Sequence, residues 1–139
     1  MWYGSNMDWG REQKDMAHLI KYAESQDGIS WMRDGTISVN FVSSEEYALS
    51  KPCVIRDSDV YRMWYSYRGA AYRIGYAESF DGVHWRRMDE DVGISISADG
   101  WDSETIEYPC VFDHAGRRYM LYNGNGYGKT GFGLAVLSD

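Results

Sequence analysis

Tyr22-Ala23-Glu24-Ser25-Gln26-Asp27-Gly28-Ile29-Ser30-Trp31 returns as Tyr76-Ala77-Glu78-Ser79-Phe80-Asp81-Gly82-Val83-His84-Trp85, 54 residues further on. Two landmarks recur around it. Met1-Trp2-Tyr3 matches Met63-Trp64-Tyr65 and Met120-Leu121-Tyr122, and Pro52-Cys53-Val54 matches Pro109-Cys110-Val111 at a shift of 57. A period in the fifties, built of short aromatic and β-branched runs, reads as sheet blades set around an axis. The fold expected is all-β: about two and a half blades of a β-propeller, each blade a four-stranded antiparallel sheet. The units run as a partial blade over 1–49, a complete blade over 50–106 and a partial blade over 107–139.

The complete unit divides into four strand-like runs, A to D: Pro52 to Ile55, Tyr61 to Tyr67, Tyr72 to Ser79 and Val83 to Met88. Asp81-Gly82 between C and D is a hairpin signal, and tight turns make neighbours antiparallel. The third unit offers A at Cys110 to Phe112, B at Arg118 to Asn123 and C at Gly131 to Leu137. The first unit offers B at Met1 to Gly4, C at His18 to Ser25 and D at Ile29 to Met32. The segments from Asp34 to Ser50 and from Asp89 to Glu107 are left as long D to A connections, a length that usually carries function. Propellers close with four to eight blades, so ten strands leave open sheet faces. Self-association is the simplest cover, and a homo-oligomer, a dimer or a multiple of one, is expected.

Composition narrows the partners. The 139 residues are 44% hydrophobic and 16% aromatic, enough for a packed core, and the formal charge is −7. That charge argues against nucleic acid and against anionic membranes. No apolar run approaches a bilayer span and Met1 leads into no signal-peptide core, so a cytoplasmic protein is expected. Cys53 and Cys110, at equivalent repeat positions, read as buried reduced thiols. His18, His84 and His114 show no ligand spacing, so neither a metal site nor a cofactor is expected.

Gly126-Tyr127-Gly128-Lys129-Thr130-Gly131 has the letters of a nucleotide loop. The context fails: Asn123 stands where a phosphate loop needs its first glycine, and a strand-like run follows where a helix is required. These glycines read as a tight B to C loop. Ser25-x-Asp27-Gly28-x-x-Trp31 and Ser79-x-Asp81-Gly82-x-x-Trp85 resemble the Asp-box hairpins of sialidase propellers. Their Asp is expected to take turn hydrogen bonds and their Trp to staple the hairpin to its blade.

The informative difference between copies precedes strand A. Leu49-Ser50-Lys51-Pro52-Cys53-Val54 becomes Ile106-Glu107-Tyr108-Pro109-Cys110-Val111, so Glu107 replaces Ser50. Strand parity puts the D to A and B to C loops on one face of the ring. Glu107 should therefore share that face with Arg68, Asn123, Asn125, Tyr127 and Lys129, opposite the hairpin aspartates. Carboxylate, amide, phenol and cation together suit a saccharide.

Glu107-Tyr108-Pro109-Cys110-Val111-Phe112 with Arg118-Tyr119-Met120-Leu121-Tyr122-Asn123-Gly124 resembles the third or fourth blade of five-bladed propeller glycosidases, glycoside hydrolase families 32 and 43. The resemblance covers nearly the whole chain, as the C-terminal half of such a propeller. It implies that Glu107 is the general acid and base, and the residues that parity sets on its face, Arg68, Asn123, Asn125, Tyr127 and Lys129, together with Tyr108 beside it, are the expected substrate contacts. Those enzymes take a second carboxylate from an earlier blade, and hydrolysis needs two carboxylates facing one bond. Ser50 and Lys51 stand where the complete blade could offer one, while Asp8, Asp102 and Glu104 match no motif for the role. Three readings follow: a saccharide-binding or assembly module with incomplete catalytic machinery, a hydrolase completed across an oligomer interface, or a fragment without activity.

Overall fold

The computed structural model describes residues 1–8 and 10–137. Among them are ten strands: β1 (Trp2–Asn6), β2 (His18–Tyr22), β3 (Ile37–Val39), β4 (Ala48–Asp57), β5 (Val60–Arg68), β6 (Tyr72–Ser79), β7 (Arg86–Arg87), β8 (Glu107–His114), β9 (Arg117–Asn123) and β10 (Phe132–Val136). They form a curled seven-stranded mixed sheet, β1-β2-β4-β5-β6-β7 with β3 on the far side of β2, and a three-stranded antiparallel sheet, β10-β9-β8. Among the described residues no helix is long and apolar enough to cross a membrane.

The repeat units are visible in this arrangement, with β1 to β3, β4 to β7 and β8 to β10 as successive groups. The first two are not separate antiparallel blades, however. A parallel pairing of His18 with Ala48 joins them into one sheet, reinforced by the His18 N–H to Tyr47 carbonyl bond at 3.0 Å. The mixed pairing is possible because β3 pairs with β2 only at Ile20 and Lys21, which leaves the start of β2 free to meet the start of β4.

The outer strands also depart from expectation. Ile29 to Met32 is no strand: the Ile29 and Ser30 N–H groups are taken by Asp27 Oδ1 at 2.8 and 2.7 Å, and Met32 makes a lone bridge to Glu24. The strand of that position is β3, inside the supposed loop from Asp34 to Ser50. In the second unit the Asp81 carboxylate takes Val83 and His84 N–H in the same way, which shortens the outer strand to Arg86 and Arg87. A hairpin that satisfies its amides locally leaves fewer for the ladder. The tryptophans close each turn, Trp31 Nε1 on Gly28 O at 3.2 Å and Trp85 Nε1 on Gly82 O at 3.0 Å.

The inner strands are longer than the sequence suggests because each carries a bulge. β4 shifts register between Ser50 and Cys53, and β8 between Glu107 and Cys110. Pro52 and Pro109 have no N–H to give the ladder. The residues before them, Lys51 and Tyr108, both adopt the left-handed conformation, at φ 52° and 58°, a local cost of about 1 kcal/mol each.

Two apolar clusters hold the units together. Leu19, Ile20, Leu49, Met63, Tyr65 and Ala77 lie between the first and second units. Trp64, Ile74, Tyr76, Ile106, Val111 and Met120 lie between the second and third. Adjacent β5 residues feed opposite clusters, so the middle unit is buried on both faces. The third unit is not. Its far face carries Cys110, Phe112, Phe132, Leu134 and Val136, all exposed. Cys110 is therefore not the buried thiol expected from its equivalence to Cys53; Cys53 itself is half-buried beneath the third unit.

Candidate functional site

Glu107 opens β8 and pairs with Asn123, the last residue of β9. Its side chain is 1% exposed. Around it lies a cavity of about 250 Å³ lined by Arg68, Tyr72, Glu104, Thr105, Tyr127 and neighbouring small residues. Arg68 ends β5 and pairs with Tyr72 at the start of β6. From there β6 runs eight residues, Tyr72–Ser79, to the Asp81 hairpin, about 23 Å at the usual rise per residue. Cavity and hairpin thus occupy opposite ends of the strands.

Arg68 is held by aromatic groups. Its guanidinium lies 5.5 Å from the Tyr47 ring centre and 5.0 Å from that of Tyr72, and Nη1 donates to the Tyr127 hydroxyl at 2.8 Å. Tyr127 reaches it from the Asn125–Gly128 turn, where Gly126 and Tyr127 are both left-handed, at φ 64° and 62°. The rings of Tyr72, Tyr108 and Tyr127 meet one another at 5.7 to 6.2 Å between centroids. This gives the site an aromatic wall.

Glu107 Oε1, Thr105 Oγ1 and Arg68 Nε are buried and lack a partner in strict hydrogen-bonding geometry, although Thr105 lies near enough to the Glu107 carboxyl to favour its charged form. Buried polar atoms are ordinarily satisfied. Burial pushes the Glu107 pKa above the usual carboxylate value, against the opposing pull of the Tyr127 backbone N–H, the Arg68 charge and the Thr105 side chain. A carboxyl in that state can hold and give a proton closer to neutrality than a solvated one.

The remaining residues singled out by sequence divide. Tyr108 belongs to the aromatic wall, and its backbone N–H donates to Ser66 Oγ at 2.7 Å. Asn123 donates through Nδ2 to the Tyr127 carbonyl at 3.3 Å, bracing the turn. Asn125 is buried and fully engaged: Oδ1 accepts the Glu104 and Thr105 N–H groups at 2.8 and 3.0 Å, and Nδ2 donates to Gly100 O at 3.2 Å. It shapes the loop beside the cavity instead of lining it. Lys129 is exposed and outside the lining. Sequence reasoning passed over Tyr47, Tyr72 and Thr105, which carry no motif. Among the other carboxylates, Asp102 is buried and accepts the Tyr122 hydroxyl at 3.0 Å, whereas Glu104 lines the cavity and is exposed.

No protein-family model matches the chain. Two uncharacterized proteins of Mycobacterium tuberculosis, MT1551 and Rv1502, are 53% and 52% identical over all 139 residues. The chain spans about half the length of these curated relatives, 46% of each. Among solved structures, a glycoside hydrolase matches 97% of the chain over 39% of its own, with a TM-score of 0.70 at 21% identity. The Bombyx mori family 32 β-fructofuranosidase BmSUC1 matches 97% over 30%, TM-score 0.73 at 16% identity. An exo-1,5-α-L-arabinanase from a bovine ruminal metagenomic library matches 88% over 45%, TM-score 0.55 at 12% identity. At these identities the likeness is one of fold: the chain resembles part of a glycoside hydrolase propeller, with Glu107 at the start of its third-unit inner strand.

Proposed function

We propose that the Glu107 cavity binds a saccharide, and that the chain is a glycosidase-related carbohydrate-binding module without complete catalytic machinery of its own. The observation that carries this reading is a buried carboxyl, Glu107, in a cavity it lines together with Arg68 and Thr105 beside a wall of tyrosines. Hydroxyl groups of a sugar would bond the polar groups of the lining while a ring face covers the tyrosines. Only Glu107 is both a carboxyl and buried in the cavity, and one carboxyl supplies one of the two roles that glycoside hydrolysis demands. A glycan array combined with a panel of chromogenic glycosides tests the reading on wild type and Glu107→Gln. The expected result is saccharide binding weakened in the variant and no turnover by either protein. Absence of binding to every glycan overturns it.

A second reading is favoured by the uncovered apolar face of β8 and β10. There a second copy of the chain docks, forms a homo-oligomer and supplies the missing carboxylate, making Glu107 the general acid and base of a hydrolase. Contiguous exposed apolar patches mark interaction surfaces. Light scattering at micromolar concentration should then give at least twice the monomer mass of 16.0 kDa, with turnover that is lost in Glu107→Gln.

A further inference from the structure

The arginines packed into this fold are treated unequally. Arg87 meets Glu46 and Asp89, Arg118 meets Asp57 and Asp113, and Arg62 meets Asp57 and Glu78. Arg68 meets no carboxylate at ion-pair distance among the described residues. It is wedged between the rings of Tyr47 and Tyr72, tethered by the Tyr127 hydroxyl, and its Nε is buried without a partner. Such a setting fixes the guanidinium plane, yet the Tyr127 hydroxyl takes only one donor of the planar fork. Guanidinium forks are matched in geometry by carboxylate and phosphate groups.

A second cation lies nearby. Lys51, at the repeat position equivalent to Tyr108, places Nζ 5.9 Å from the centre of the Tyr108 ring, which in turn meets the rings of Tyr72 and Tyr127 in the cavity wall. Two carboxyl groups oppose these cations. Glu107 is buried, which favours its neutral form. Glu104 is exposed, where solvent and salt screen it. Arg68 is thus the fixed cation of the lining, in a chain of formal charge −7.

Resting on the saccharide reading above, we propose that the ligand is an acidic saccharide, and that Arg68 receives the anionic group it carries, a carboxylate of a uronic acid or a phosphate or sulfate ester. Tyr127 is the positioning residue for Arg68, and Lys51 contributes charge.

The test is an array holding neutral, uronate-bearing, phosphorylated and sulfated glycans, followed by calorimetric titration of the glycan with the strongest signal, using the full chain. Anionic glycans should dominate the wild-type signals and bind at least about tenfold tighter than their neutral counterparts. The class that dominates, uronate or ester, identifies the anionic group. Arg68→Gln should erase that preference, bringing anionic glycans down to the level of their neutral counterparts, and Glu104→Gln should strengthen anionic binding. Arg68→Lys keeps the charge but loses the fork, and should retain only a small part of the preference; with Tyr127→Phe it serves if Arg68→Gln proves misfolded by circular dichroism. Strongest signals from neutral glycans, or an anionic preference that survives in Arg68→Gln and Arg68→Lys, overturn this proposal and leave saccharide binding standing. No binding to any glycan overturns both.

Discussion

The backbone N–H of Val111 donates to Cys53 Sγ at 3.1 Å, so the inner strand of the third unit rests on the thiol of the second. Burial raises the pKa of this thiol above its ordinary value, and thiolate is the reactive form. Cys110 holds the equivalent position one unit on and is exposed. Iodoacetamide should therefore label Cys110 first in the folded protein, with Cys53 modified only on unfolding. Peptide mass spectrometry over a time course checks the order; equal rates would mean that the third unit does not cover the second.

Glu107 makes stability depend on pH in a defined direction. Its folded pKa lies above the ordinary value of 4.5 because burial disfavours the charged form. Between those two values the folded chain binds more protons than the unfolded one, so stability falls as pH rises through the interval. Glu107→Gln removes this slope. At pH 7 it should also be the more stable protein, because the amide carries no charge to desolvate. Urea unfolding at a series of pH values from acid to neutral measures both effects.

Arg87 is the keystone of a buried polar network at the opposite side of the middle unit. Its guanidinium holds Glu46 at 2.7 Å, bonds Asp89 as well, and lies over the rings of Tyr65 and Tyr67. Asp89 in turn accepts from the Tyr65 hydroxyl and from the Tyr76 N–H at 3.1 Å. Arg87→Ala would strand two carboxylates in a largely buried setting, an effect of about 3–5 kcal/mol. Denaturant titration should show that loss, far beyond the change for the exposed Arg86→Ala.

Much of this was legible in the residues. The repeat pointed to a mostly β chain, which the structure has, although its first two units share one mixed sheet, and comparing copies drew attention to Glu107 because a difference within an otherwise constant motif is informative. The hairpin aspartates behaved as turn chemistry dictates. The outer strands were misread because the same aspartates spend the amides of Ile29, Ser30, Val83 and His84, a competition invisible to hydrophobic patterning. Asn125 looked like a ligand contact and is a loop brace, since a sequence names an amide but not its partners. Tyr72 and Tyr47 were missed for the converse reason: an aromatic residue at a strand end or in a connection has no signature until an arginine is seen between two of them.

The parallel pairing of His18 with Ala48 has a dynamic consequence. It carries a backbone ladder across the boundary between the first and second units, so opening either must break amide bonds in both. Between the second and third units the join is mostly side chain, with the 3.4 Å bond from Ile106 N–H to Tyr72 O among its few backbone links. Amide exchange should accordingly resolve two cooperative units. β2, β4 and β5 should exchange together at the slowest rate, by global unfolding, while β9 and β10 exchange sooner through partial detachment of the third unit, taking with it the segment that bears Glu107.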